Sequence, residues 1–244
     1  MSERKKVTLP TLFKKVADGE PISMLTCYDY PTAHFQDQAG IDMVLVGDSL
    51  GMTMLGYEST LPVTMEDMIR HAQAVRRGAP NVWLIGDMPY MTYQPSVESA
   101  IRNAGRFMAE AACDAIKLEG GAEMADRVAG IVAAGIPAMG HLGLTPQSMS
   151  ALGGFRVQGR GALQAKKIVD DAKALEEAGV FAILLEMVPI ASARSSPSGP
   201  RTVSSSAWAP ACTLTANSSS TMTCSASTHA SSRAWPKSTP TPAR

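Results

Sequence analysis

Six times along the first 190 residues a short apolar run ends in a polar group or glycine, and a helical stretch separates it from the next. The runs are Ile22 to Thr26, Met43 to Val46, Val82 to Gly86, Ala115 to Glu119, Ile136 to Met139 and Phe181 to Leu185. Met43-Val44-Leu45-Val46 has no polar alternate, so it reads as a strand buried on both faces, as a parallel sheet covered by helices requires. The intervening helices stop at Gly19, Gly40, Gly78, Gly135 and Gly179, where a left-handed cap costs least. Thr64-Met65-Glu66-Asp67 opens one of them in a capping-box pattern. This alternation predicts a parallel α/β fold, without separating a barrel from a doubly wound sheet. No G-x-G-x-x-G follows the first strand and no G-x-x-x-x-G-K-[ST] occurs, so nothing favours a nucleotide fold.

In a β/α barrel, chemistry gathers at the carboxyl ends of the strands. There this sequence puts Asp48 and Ser49, Asp87, Lys117 and Glu119, His141, and Glu186. Four carboxylates on one face repel unless a cation or a proton intervenes. Oxygen donors without thiolates suit a hard ion such as Mg²⁺. Such an ion can chelate a 2-oxo acid and acidify the adjacent carbon, which a nearby carboxylate then deprotonates. Lys117 is placed to pair with the substrate carboxylate. A structural account of each residue stands beside this one. Asp48 and Ser49 are ordinary turn residues, Lys117 and Glu119 share a strand face, and His141 also suits a core or loop. The methionines at 52, 54, 65, 68, 88 and 91 are expected to pack.

A formal net charge of zero hides a split. Residues 1–190 carry 17 Lys and Arg against 22 Asp and Glu, whereas residues 191–244 carry five basic residues and no acid. An acidic body argues against nucleic acid as a partner. There is no apolar run of membrane-spanning length, and no signal-peptide core follows Met1 to Lys6. Cys27, Cys113, Cys212 and Cys224 show no CxxC spacing, so neither zinc nor a disulfide framework is implied. These features predict a cytoplasmic protein with small-molecule partners and no membrane contact.

Several longer stretches are more specific. They are Val46-Gly47-Asp48-Ser49-Leu50-Gly51-Met52, Ser59-Thr60-Leu61-Pro62-Val63-Thr64, Val75-Arg76-Arg77-Gly78-Ala79-Pro80, Lys117-Leu118-Glu119-Gly120-Gly121, Gly140-His141-Leu142-Gly143-Leu144-Thr145-Pro146-Gln147-Ser148 and Val157-Gln158-Gly159-Arg160. Together they resemble the ketopantoate hydroxymethyltransferase (3-methyl-2-oxobutanoate hydroxymethyltransferase) family over roughly residues 8–189. The resemblance implies a (β/α)8 TIM barrel, commonly assembled as a decamer, acting in pantothenate biosynthesis. It implies hydroxymethyl transfer from 5,10-methylenetetrahydrofolate to 3-methyl-2-oxobutanoate. Carried over by motif, Asp48 and Asp87 hold Mg²⁺ with Glu119 also at the metal. Asp48, Ser49, Asp87 and Lys117 contact the oxo acid, His141 lines the site, and Glu186 is the proton acceptor. A lyase or mutase of the phosphoenolpyruvate/2-oxo acid barrel type, which needs no folate, is the alternative enzyme class. A non-catalytic truncated subunit is the alternative outside enzymes.

After about residue 190 the composition changes. Ser, Thr, Ala and Pro make up 39 of residues 191–244, with Val203 and Leu214 the only branched aliphatics. The resembled family continues instead with two more β/α units, carrying Gly-x-Gly-Ala-Gly and His-Asp-x-x-Gly. By composition, residues 191–244 read as a disordered low-complexity tail on a 1–190 partial barrel of about six β/α units. A shifted reading frame also accounts for them. Taking the last base of each codon with the first two of the next, Ser206 to Ala211 permits Gly-Val-Gly-Ala-Gly, and Thr221 to Ala226 permits His-Asp-Met-Leu-Gly. A frameshift between about 190 and 205 is therefore expected. A barrel lacking two strands leaves its first and sixth strands with open edges. The expectation for this chain is low stability, aggregation and little turnover.

Overall fold

The computed structural model describes residues 4–152, 157–189, 212–216 and 222–226. Its elements run α1 (Leu9–Ala17), β1 (Ile22–Thr26), α2 (Tyr30–Gln38), β2 (Met43–Val46), α3 (Leu50–Thr53), α4 (Met65–Gly78) and β3 (Trp83–Asp87). Then come α5 (Val97–Ala111), β4 (Ala115–Glu119), α6 (Ala125–Ala133), β5 (Ala138–Gly143), α7 (Met149–Leu152), α8 (Ala162–Glu177) and β6 (Ala182–Glu186). Strands β1 to β6 pair in parallel and in chain order, so the sheet curls as a barrel rather than reversing as a doubly wound sheet.

The inward-facing residues follow the period of two along each strand. At the amino ends they are apolar. Ile22, Met24, Met43, Leu45, Trp83, Ile85, Ala115, Met139, Ala182 and Leu184 form one buried cluster with Leu12 of α1. Helix α1 opens on a capping box between Thr8 and Thr11 and plugs this end of the barrel. Lys15 ties it down through a 2.6 Å ion pair to Asp42 just before β2. At the carboxyl ends the same inward rows turn polar: Asp87 after Ile85, Lys117 and Glu119 after Ala115, His141 after Met139, Glu186 after Leu184. Outward residues such as Val44, Leu84, Ile116 and Ile183 pack with Ala72, Val75, Phe107, Ile131 and Leu175 of the surrounding helices.

Two local expectations change. Strand β5 does not stop at Met139 but runs on to Gly143, so His141 lies within a strand, paired with Glu119. Gly78 does not cap α4 in a left-handed conformation. A Cβ there would lie 2.4 Å from the Tyr30 carbonyl oxygen, so glycine is required for the close approach of α2 to α4.

The edges of the six-stranded sheet also differ from expectation. Strand β8 (Met222–Ala226) lies parallel beside β6, and β7 (Cys212–Ala216) runs antiparallel to both β8 and β1. The order β1-β2-β3-β4-β5-β6-β8-β7 closes the barrel, so neither β1 nor β6 keeps an open edge. Backbone hydrogen bonding drives this closure, because a sheet edge is a row of unpaired donors and acceptors that any extended segment can satisfy. The rest of the expected disordered tail lies outside the described residues.

Candidate active site at the strand ends

Register sets the site. Asp87 pairs with Lys117 across β3 and β4, Glu119 with His141 across β4 and β5, and Gly143 with Glu186 across β5 and β6. Asp48 and Ser49 follow β2, and the Asp48 backbone N–H donates to Asp87 Oδ2 at 3.1 Å. Asp48, Asp87, Lys117, Glu119 and His141 are all buried, whereas Glu186 is half-buried at the mouth. Six of the seven polar strand-end residues legible in the sequence thus come together, and Ser49 follows Asp48 in the chain.

Lys117 is the hub of the charge network. Its ammonium lies 2.8 Å from Asp87 Oδ1, 3.7 Å from Glu119 Oε1 and 3.2 Å from His141 Nδ1. Burial disfavours its charge, but Asp87, Glu119 and Asp48 outweigh that and hold its pKa above the ordinary lysine value. His141 Nδ1 also lies 3.2 Å from Glu119 Oε1, and Nε2 lies 3.2 Å from Glu186 Oε2, the latter off the line of a hydrogen bond. Burial and the Lys117 charge oppose protonation of His141, yet contacts with Glu119 and Glu186 raise it to about 9. Two carboxylates thus favour the protonated ring of His141 against burial and the Lys117 charge.

The carboxylates divide into two kinds. Burial opposes ionisation of Glu119, but Lys117, His141 and the Gln147 N–H prevail and lower its pKa. Asp48 goes the other way: burial, then Asp87, push it up to about 8. Asp87 is likewise raised, by burial and by Glu119, against the relief that Lys117 provides. Were all four carboxylates ionised against Lys117 and a charged His141, the cluster would carry an excess of −2, and that crowding of negative charge accompanies the raised Asp48 and Asp87.

That excess, together with an all-oxygen donor set at Asp48 and Asp87, fits one hard divalent cation. Asp87 Oδ1 is buried and faces the Lys117 ammonium at 2.8 Å, so a cation bound there would share this oxygen with Lys117. Among the described residues no three His, Cys, Asp or Glu side chains are grouped as a ready-made metal cage. Mg²⁺ does not need one, because it keeps most of its waters and takes one or two carboxylates.

Three further residues belong here that the sequence reading left without a role. Tyr28, after β1, shares a 2.8 Å hydrogen bond with Ser49 Oγ. Tyr93, in the loop after β3, donates to Gln147 Oε1 at 2.7 Å and accepts from the Glu119 backbone N–H at 3.1 Å. Gln147 donates to Asp48 Oδ2 at 2.9 Å. Only Gln147 had a signal, its place in the stretch after His141. The rim is held by backbone contacts: the Leu144 and Gln158 amides donate to the carbonyls of Glu186 and Met187. Gly143, at φ 94°, passes so close that a Cβ would lie 2.2 Å from the Glu186 carbonyl oxygen.

Residues 6–196 match the sequence profile of the family described as ketopantoate hydroxymethyltransferase. The chain is 55% identical over 188 residues to 3-methyl-2-oxobutanoate hydroxymethyltransferase of Syntrophus aciditrophicus (strain SB), covering 77% of this chain and 69% of the relative. It is 56% identical over 194 residues to the protein of that name from Moorella thermoacetica (strain ATCC 39073 / JCM 9320), covering 80% and 72%. Among solved structures, phosphonopyruvate hydrolase in complex with oxalate and Mg++ superposes with a TM-score of 0.61 at 16% identity, covering 81% of this chain and 71% of the other. For 2,3-dimethylmalate lyase, a PEP mutase/isocitrate lyase superfamily member, the TM-score is 0.60 at 16% identity, covering 82% and 72%. At that identity the likeness is one of fold. Among the described residues no helix is long and apolar enough to cross a membrane.

Proposed function

The chain belongs to the ketopantoate hydroxymethyltransferase family, a family of transferases, and we propose that its strand-end site activates 3-methyl-2-oxobutanoate for hydroxymethyl transfer from 5,10-methylenetetrahydrofolate. The observation that carries this reading is the burial of Asp48, Asp87, Glu119, Lys117 and His141 in one network, with the half-buried Glu186 at its mouth. Asp48 and Asp87 would hold Mg²⁺, with Glu119 beside them. Bound there, the ion would polarise the keto oxygen of the oxo acid and so acidify its C3–H bond.

The chain's own groups do the rest. Lys117 offers a buried positive charge to the substrate carboxylate, and Ser49, oriented by Tyr28, offers a hydroxyl. Glu186, the half-buried carboxylate beside the cluster, accepts the C3 proton. His141, whose Nε2 lies 3.2 Å from Glu186 Oε2, holds the Glu186 carboxylate over the site. The electron pair left at C3 forms a bond to the one-carbon unit of the folate, and water completes the hydroxymethyl group as tetrahydrofolate leaves. Every residue named here lies on or directly after β1 to β6, so proton abstraction is expected of this chain even where full transfer is weak.

Exchange of the C3 proton of 3-methyl-2-oxobutanoate with deuterated solvent, followed by NMR with Mg²⁺ and without folate, tests this reading. Exchange is expected from the chain, and Glu186→Gln is expected to slow it about 10²–10⁴-fold. No exchange, or exchange unaffected in Glu186→Gln, overturns it. Formation of 2-dehydropantoate only when methylenetetrahydrofolate is added separates transfer from a folate-independent lyase or mutase reaction.

A further inference from the structure

Gln147 is buried at the 3₁₀ turn after β5, and the chemistry above leaves its side chain without a role. Its Nε2 donates to Asp48 Oδ2 and to the Met88 carbonyl oxygen, both at 2.9 Å. Its Oε1 accepts from Tyr93 OH at 2.7 Å and from Gln94 Nε2 at 3.0 Å. Every hydrogen-bonding position of the amide is used. The opposite orientation would turn its oxygen toward a carboxylate and a carbonyl, and its hydrogens toward two donors, so the surroundings fix it. Its backbone N–H donates to Glu119 Oε2 at 3.0 Å. One residue thus grips two of the three deepest carboxylates.

We propose that Gln147 is the positioning residue of this carboxylate cluster: its amide holds Asp48 by Oδ2 so that the other carboxylate oxygen faces the ligand, and its backbone holds Glu119 against β5. The proposal rests on the function proposed above only for what that oxygen then binds. Without the amide, Asp48 Oδ2 and the Met88 carbonyl lose their donor, and the Asp48 carboxylate is free to rotate about χ2. Hydrogen-bond partners of this kind behind a metal ligand typically matter 10–100-fold in metal affinity or activity.

The test compares Gln147→Met and Tyr93→Phe with the unsubstituted full chain. Mn²⁺ affinity is measured by electron paramagnetic resonance, Asp48 is located in crystals of the metal-free proteins, and kcat and KM for C3 exchange are separated. Gln147→Met is expected to rotate Asp48 in the crystal, to weaken Mn²⁺ about 10–100-fold and to lower kcat more than it raises KM. Tyr93→Phe, which removes a partner from the far side of the amide and does not touch Asp48, is expected to shift both readouts the same way by a smaller factor. An unmoved Asp48 with unchanged Mn²⁺ affinity in Gln147→Met overturns the proposal. If Gln147→Met does not fold, unchanged Mn²⁺ affinity in Tyr93→Phe overturns it instead. Should the unsubstituted chain bind no Mn²⁺, the cation reading fails, while the position of Asp48 in the crystals still decides whether Gln147 holds it.

Discussion

Replacing Asp48 by Asn is expected to stabilise the metal-free chain while destroying its response to metal. Burial and the neighbouring Asp87 push the Asp48 carboxyl up to about 8 from an ordinary 3.8. Below the ordinary value both folded and unfolded chains hold the proton, and Asp48 carries no penalty. Between the ordinary value and the folded one only the folded chain holds it, so stability falls as pH rises, by about 1.36 kcal/mol per pH unit. At about pH 7.5 the accumulated cost is on the order of 2–5 kcal/mol. Asn keeps an oxygen that accepts from Gln147 Nε2 and removes the charge that Asp87 and Glu119 oppose. For a chain of this size the relief corresponds to a melting temperature roughly 5–15 °C higher. Melting curves in chelator between about pH 4.5 and 8.5 measure it, and the gap must shrink toward the acid end. With excess Mg²⁺ the gap should narrow by about 2.7 kcal/mol at a hundredfold excess over Kd, because the unsubstituted chain gains that much and the Asn variant gains little. An Asn variant less stable than its parent at pH 7.5 in chelator, or a gap that does not narrow in acid, would refute this electrostatic account.

Other outcomes follow from the same structure. Lys117→Met strands Asp87 and Glu119 without their shared counter-charge and is expected to cost about 3–5 kcal/mol in denaturant titrations at pH 7; a loss under about 1 kcal/mol contradicts the hub role. Ending the chain at residue 189 removes β7 and β8 and exposes the edges of β1 and β6, so size-exclusion chromatography should show aggregates where the 244-residue chain runs as a smaller species; identical behaviour contradicts their pairing. The nucleotide sequence across codons 185–210 should carry the shifted frame, and codons incompatible with it end that explanation.

Much of the barrel was legible because its signals are local. An apolar run of four or five residues, a glycine stop and a capping box each depend on near neighbours only, so β1 to β6 and most helix ends could be placed from the chain itself. The same locality made Asp48, Asp87, Lys117, Glu119 and Glu186 visible, since a charged residue at a strand's carboxyl end needs no partner to be noticed. Strand β5 was cut short because Gly140-His141-Leu142-Gly143 lacks strand propensity, and only pairing with β4 and β6 extends it. The closing strands β7 and β8 were invisible for a related reason: Ser- and Thr-rich segments pair where an open sheet edge offers backbone partners, which no local pattern announces.

What the sequence determined by itself is the parallel α/β alternation and the row of polar groups at the strand ends. Only the tertiary structure decided how that row is wired. Gln147 reaches Asp48 across 99 residues, Met88 across 59, Tyr93 across 54 and Glu119 across 28. Lys117 and His141 acquire their charge states from strands that are neighbours only once the sheet has curled. Hydrogen bonds and buried charge interactions depend on separation in space, and the closure of the barrel sets those separations.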